Sequence, residues 1–563
     1  MTMNPVGQAG NQGWRHWPIQ TRGMLAGVLF LTLVPTIAHL LISWMGMNPT
    51  DDGFFLGMGR RILDGEIPHR DFITARPPGT GIMWTPVILL GGDYTIWISR
   101  FFVWFQFACI AWIGTVIIHR MLRQALDPVE QTAMALVAFV GTATTFIITP
   151  WPAIDGLWFV SGGLVLWLSN RPFGRFLGYA MIGAACLFKQ NFLVLGPVFL
   201  IVLGDWRQFR YWLAVASPAF AYLAFMWITG ALPDFRLQLT SHTELIKTGF
   251  LNYLHSSGMF CGFIVAYFSL LVVSGQIKTP MFNLPRNMRL GLVAVGTAVL
   301  ILPLAFCMVW HLGTTAQRYS IILFGMTIGA VAYFLCHRDA PFETIKVAVL
   351  VLAMMWTVSI SIGCNYPLLG TGLAIVLLTS YLRIILTSNA AENRFLFLWR
   401  SCLLVCTVIT LICFVIGRSW HIYMERPAWK LTCSLGGVLP GGKLIRTNPV
   451  TYEYMKELHD TIERLQGREY AILPDAAIYW IKSPQKNPLP TSWPLDFELA
   501  DPGLFDRFTQ ALEVRRGRMV ILVAKVKGFN LVDKPAPDWY KIVPYVQSHF
   551  HKVGETQYWA VYE

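Results

Sequence analysis

Charge is scarce in this sequence. Only 13% of the 563 residues are Asp, Glu, Lys or Arg, whereas 55% are hydrophobic and the mean hydropathy is +0.51. Strict alternation of polar and apolar residues is also missing, which excludes a membrane β-barrel. There is no disulfide framework and no Cys-x-x-Cys metal pair. Nine of the ten cysteines lie in or beside apolar runs, where a thiol behaves as a small hydrophobe, and only Cys433 falls in the C-terminal part. A cleavable leader is not expected either. The first apolar run follows a polar stretch containing Arg15 and Arg22 and is as long as a full span, so it should remain as a start-transfer anchor.

What the chain has in abundance is apolar runs of membrane-spanning length, recurring from Met24 to about Ile416. They predict an all-α polytopic membrane bundle. The net charge of +13 sits mainly in short loops between these runs, where it sets orientation and implies no nucleic-acid partner. Arg120/Arg123, Arg171/Arg175, Arg207/Arg210 and Arg394/Arg400 fall on one side of a consistent threading, and that side is the cytoplasm. The threading has about thirteen spans, near 24–46, 96–118, 129–149, 156–169, 176–188, 192–204, 211–229, 258–275, 290–310, 319–336, 346–363, 370–387 and 399–417.

The division expected is a cytoplasmic N-terminus over 1–23, a membrane domain over 24–417, and an outer domain over 418–563, periplasmic in a cell with two membranes. The tail changes composition. "YEYMKELHDTIERL" reads as an amphipathic helix, "REYAILPD" and "RMVILVAK" as short buried strands, and "NPLPTSWP" as a Pro-rich loop. A small α/β domain is expected there. Two outer connections, 47–95 and 230–257, are longer than helix joining requires.

The first of these, "NPTDDGFFLGMGRRILDGEIPHRDFITARPPGTG", concentrates the charge that the rest of the chain lacks. Phe55, Met58 and Ile62 fall at helical spacing and Gly65 is placed to end the helix, which is expected to lie in the membrane interface. Asp51 and Asp52 begin it. By themselves two such acids complement the positive end of a helix dipole, with Thr50 as the cap. The company of Asp64, Glu66, His69, Arg70, Asp71 and Arg76 before a rigid Pro77-Pro78 points instead to a polar cavity, because ionisable groups are costly beside lipid. A carboxylate at its mouth suits a general base, and Arg76 suits an anionic group held by paired hydrogen bonds. The alternative for Arg76 is an ion pair with Asp71 or snorkelling to lipid phosphates.

"TDDGFFLGMGRRILDGEIPHRDF" and "ARPPG" resemble the acid pair with its interfacial helix and the basic-Pro-Pro motif of the C-type glycosyltransferase (GT-C) superfamily, in the bacterial branch of protein O-mannosyltransferases and the lipid A aminoarabinose transferase. The resemblance implies transfer of a sugar from a polyprenyl-phosphate carrier to a lipid, glycan or protein acceptor at the outer face of the cell inner membrane. By match, Asp51 would be the catalytic base and Asp52 its support. Arg76 stands where the family usually has Lys and would grip the carrier phosphate, a fork in place of a point charge. The resemblance also suggests roles for Asp155 as a second acid and for Arg318 and Tyr319 as phosphate contacts.

Other outer-face candidates follow from the threading. Lys189 would add a charge to the phosphate site, or snorkel. Asp155 has the alternative of capping a helix after Pro152, and His242 and Glu244 that of merely lining their loop. His311 reads as a satisfied loop histidine. No cofactor is required, although Asp51, Asp52 and Asp155 are of the type that binds a divalent cation. Three rival readings stay open: a transporter or flippase, a two-carboxylate hydrolase using Asp51 with Asp155, and a scaffold subunit in which the acids are only caps.

Overall fold

The computed structural model describes residues 21–144, 147–169, 171–240, 249, 251, 253–275, 285–310, 314–336, 342–359, 366–388, 393–526 and 540–563. Helices dominate. In chain order they are α1 (Thr21–Ile42), α2 (Asp51–Leu63), α3 (Gly79–Leu90), α4 (Thr95–Met121), α5 (Pro128–Ala143), α6 (Pro152–Trp167), α7 (Pro172–Ala184), α8 (Leu195–Val202), α9 (Phe209–Ile228) and α10 (Leu232–Thr240). There follow α11 (Ser257–Ser274), α12 (Arg286–Trp310), α13 (Thr314–Cys336), α14 (Phe342–Ser359), α15 (Thr371–Ser388) and α16 (Asn393–Trp420).

Nine helices among the described residues are long and apolar enough to cross a membrane, carried by α1, α4, α9 and α11 to α16. The thirteen spans read from the sequence include these nine. The other four correspond to α5, α6, α7 and α8, of 16, 16, 13 and 8 residues. A full crossing needs about 20 residues. Helices α5 and α6 are largely enclosed by neighbours, with Val137, Ala138, Val140, Ile154 and Leu157 buried. Such enclosure is shared by α4 and α15, which do have spanning length.

After α16 come α17 (Pro449–Arg464), α18 (Pro502–Glu513), α19 (Ile542–His549) and strands β1 (Cys433–Ser434), β2 (Arg446–Thr447), β3 (Glu469–Leu473), β4 (Met519–Ala524), β5 (Lys552–Glu555) and β6 (Trp559–Tyr562). A four-stranded sheet runs in the order β3-β4-β6-β5, with β3 and β4 parallel and the other pairs antiparallel. Every residue of β4 is buried, as a central strand covered on both faces requires. The helix and both strands lie where the tail's periodicity puts them.

This C-terminal region sits directly on the first loop. Gly46 N–H donates to Arg446 O at 2.8 Å, Ile478 N–H to Pro49 O at 3.0 Å, and Ile73 N–H to Pro490 O at 2.6 Å. The ends of α1 and α16 therefore share one side of the bundle. Gly53 is needed for this docking, since a Cβ there would stand 2.0 Å from the backbone nitrogen of Ile478. Helix α2 is consequently enclosed by protein, with ten of its 13 residues buried, where the sequence had suggested a helix lying open at a lipid interface. Its apolar side chains surround it, and the 477–481 turn covers the face turned away from α3.

Candidate active site

The start of α2 is organised by Asn48. Its Oδ1 accepts the backbone N–H of Thr50 (3.0 Å) and of Asp51 (2.8 Å), so Asn48 caps the helix and Thr50 does not. The Thr50 hydroxyl donates instead to Asp475 O at 2.9 Å, across to the C-terminal region.

Asp51 and Asp52 are both buried yet answered differently. Asp52 Oδ2 accepts the backbone N–H of Asn48 (2.8 Å) and Arg100 Nη2 (3.0 Å). Arg100 also donates to the carbonyls of Ser43 (2.7 Å) and Gly46 (2.9 Å), closing the end of α1. Among the described residues, Asp51 has no such cation in contact. Its Oδ2 accepts the hydroxyl of Tyr423 at 2.7 Å, from the segment that follows α16. Burial pushes the Asp51 carboxyl up to about 6; the Tyr423 hydrogen bond opposes that rise, the carboxylates of Asp52 and Asp475 add to it, and Arg76 lies near enough to reduce it.

Arg76 is fixed by the C-terminal region. Its Nη1 donates to Glu498 Oε1 at 3.2 Å, and Glu498 Oε2 accepts Ala75 N–H at 3.3 Å. The guanidinium lies 5.4 Å from the Phe54 ring centroid and 5.7 Å from that of Phe55. The ion pair weighed between Arg76 and Asp71 is not the one formed: Asp71 takes Arg70 at 2.8 Å, and Arg76 takes Glu498.

Lys189 approaches the same loop from the junction of α7 and α8. Its Nζ donates to Val358 O at 3.4 Å, and the adjacent Gln190 Nε2 donates to Ala75 O at 2.7 Å. Gly79 permits this contact, because a Cβ there would meet Leu187 O at 2.4 Å.

The remaining candidates are placed elsewhere. Asp155 lies in the first turn of α6, fully buried, and caps nothing; its carboxylate accepts Trp84 Nε1 (3.2 Å) and Gln106 Nε2 (2.8 Å), joining α3, α4 and α6. Arg318 is exposed on α13, and the Tyr319 hydroxyl donates inward to Leu300 O, so neither contacts Asp51 or Arg76. His69 has a positive φ of 68° and is buried between Gln238 Oε1 (2.9 Å) and Tyr222 Oη (2.8 Å). Burial lowers its imidazole to about 4, leaving it uncharged at neutral pH. His69 and Arg70 offer their carbonyls to Arg507, so this turn serves as a docking point for the C-terminal region. His242, Glu244 and His311 lie outside the described residues.

A cavity of about 40 Å³ opens beside Asp52, walled by Arg100, Arg418, Asn48 and Tyr423 among others. Arg418, near the end of α16, donates to Ala143 O and lies over Trp104 and Phe414. Arg100 and Arg418, both buried, thus share this pocket with the Asp52 carboxylate. Among the described residues, no three His, Cys, Asp or Glu side chains stand together as a metal site, and the three acids of the sequence reading are divided among Tyr423, Arg100 and the Trp84–Gln106 pair.

Sequence reasoning missed Arg100, Arg418, Tyr423, Asp475 and Glu498. A signal existed for Arg100, an arginine inside a span that is otherwise apolar. No family model, curated protein or solved structure matches this chain.

Proposed function

We propose that this protein is an integral membrane glycosyltransferase that takes a sugar from a polyprenyl-phosphate carrier and passes it, with inversion, to an envelope acceptor. The observation that carries this reading is the state of Asp51, a buried carboxylate raised to about 6 and held by a tyrosine beside a concentration of arginines. A general base works best with a pKa near the operating pH. Asp52, tied to Arg100, is a fixed charge that orients the helix and keeps its neighbour's affinity for a proton high.

In the reaction, Asp51 accepts the proton of the acceptor hydroxyl as its oxygen bonds to the anomeric carbon. The bond from that carbon to the carrier oxygen breaks, and its electron pair leaves with the phosphate. Phosphate is a stable anion at neutral pH, so no acid is required to protonate it. Arg76 favours the charge that develops. Arg76 exchanges Glu498 for phosphate oxygens, both of which fit its planar fork. In this reading the membrane is the cell inner membrane, with the N-terminus cytoplasmic and the C-terminal region periplasmic.

The test is transfer of a radiolabelled sugar from polyprenyl phosphate to a crude envelope acceptor by the purified protein in lipid. Wild type transfers label and Asp51→Asn does not. Undiminished transfer by the variant removes Asp51 as the base, and no transfer by wild type across the common carrier-linked sugars removes the activity. Labelling of Lys430→Cys from outside intact spheroplasts checks sidedness; protection there reverses the orientation.

A further inference from the structure

Two cavities of opposite chemistry meet at the far end of α2 from Asp51. The first, of about 520 Å³, is almost wholly apolar and is lined by Ile62, Ile67, Pro78, Ile82, Ala221 and Phe225 among others. Its α9 wall belongs to the last turns of that helix, and Ile82 and Phe225 are exposed, so the groove opens sideways from a candidate membrane span. The second, of about 410 Å³, lies in the seam between the first loop and the C-terminal region, with Arg61, Lys486, Arg507 and Arg515 in its walls. Glu66 lines both.

The carboxylates of the seam are already engaged. Glu66 accepts Arg61 at 2.7 Å, Glu469 accepts Arg515 at 3.2 Å, and Asp71 accepts Arg70 at 2.8 Å. Lys486 donates to a carbonyl, Asp64 O at 2.6 Å. Arg507 donates to the carbonyls of His69 and Arg70, with Asp234 at 3.5 Å as its carboxylate neighbour. Among the described residues five cations thus face four carboxylates, and Lys486 is the cation without a carboxylate contact there. An apolar groove joined to a seam with excess positive charge matches a ligand that has an apolar tail and an anionic head.

We propose that the two cavities form one binding site for a membrane lipid with a net anionic phosphate headgroup, its chain in the groove and its phosphate at Lys486 and Arg507. Arg61 follows Asp51 by ten residues on α2, about 15 Å at the helical rise. The headgroup end of the site is therefore separate from Asp51, and it stands whether or not the transfer reaction does. If the transfer reaction holds, the lipid here is a second amphiphile beside the sugar carrier, placed as a lipid-linked acceptor would be.

The experiment uses the full chain in phosphatidylcholine nanodiscs, titrated with a fluorescent phosphatidic acid, with a fluorescent phosphatidylcholine and inorganic phosphate as the other arms. Wild type binds the phosphatidic acid saturably and more tightly than either. Lys486→Gln, at an exposed side chain, weakens that binding roughly tenfold, the loss of a charge-assisted hydrogen bond. Ala221→Trp fills the groove from an exposed position and abolishes lipid binding while leaving the affinity for inorganic phosphate unchanged. Arg171→Gln, at an exposed position before α7 that lines neither cavity, leaves all three affinities unchanged. Equal uptake of both lipids, wild-type binding by Ala221→Trp, or wild-type binding by Lys486→Gln would each overturn the assignment.

Discussion

Buried carboxylates occur at both ends of α5's length of the bundle, and the two ends are built on different principles. At the start of α5, Glu130 accepts Arg383 at 3.2 Å and Arg400 at 2.5 Å, Arg400 also reaches Asp127 at 2.8 Å, and Asp127 and Glu130 form a capping box. Each acid has a cation in direct contact. At the other end, where Ala143 O meets Arg418, Asp52 has Arg100 while among the described residues Asp51 has a tyrosine in contact and no cation, and a cavity adjoins them. The first arrangement closes a structure. The second keeps one carboxylate at an energy that only a protonation or a ligand relieves, which is how reactive groups are held.

Exchanging charge for amide at each end breaks or sharpens this contrast. Asp51→Asn should reduce transfer by about a thousandfold, the contribution of a positioned general base. The same change should leave the protein more stable at neutral pH. Asp51 has a folded-state pKa of about 6, above its ordinary 3.8, so the stabilisation it provides is complete below 3.8 and is lost as pH rises through 6. Ionised above that pH, it opposes folding by about 3 kcal/mol, which Asn removes. Thermal unfolding at pH 8 reads this as a rise in Tm; a fall would make Asp51 a structural residue like Glu130.

Glu130→Gln should do the reverse. It removes the carboxylate that Arg383 and Arg400 share, with a loss of about 3 kcal/mol expected for the broken buried pair with Arg383. Tm should fall while transfer per folded molecule is retained. A selective loss of transfer with unchanged Tm would place function at that end as well. Gly53→Ala is next in size. The added Cβ has backbone on the other side, so the 477–481 turn must shift, at about 1–3 kcal/mol. Limited proteolysis should cleave the C-terminal region faster in this variant, and equal cleavage would mean that the docking is held elsewhere.

Much of the bundle was legible because membrane helices advertise themselves by length and composition, and the strands of the tail by short apolar runs. The lengths of α5 to α8 were not, since apolar composition does not mark where a helix ends. Asp51, Asp52 and Arg76 were legible as charge beside lipid. Their partners were not: the contacts of Asp51 with Tyr423, Arg76 with Glu498 and Thr50 with Asp475 join residues 372, 422 and 425 apart. Local pattern carries no information about such pairings, and each of the three partners reads in isolation as an ordinary polar residue of a loop. Arg100 is the exception, because an arginine within an apolar helix needs a partner near its own depth.

Tyr423 carries the smallest expected effect and the most specific one. Its hydroxyl donates to Asp51 Oδ2 and so favours the ionised form, opposing the rise that burial imposes. Tyr423→Phe removes that donor and keeps the ring. The Asp51 carboxyl should then rise above about 6, and the ascending limb of the pH–rate profile for transfer should move to higher pH with it. At pH well above the limb both proteins hold Asp51 ionised, so their rates should converge. A residue that only supported the fold would lower the rate by one factor at every pH. Convergence at high pH with separation at low pH therefore assigns the tyrosine to the proton affinity of Asp51, and a constant ratio assigns it to packing.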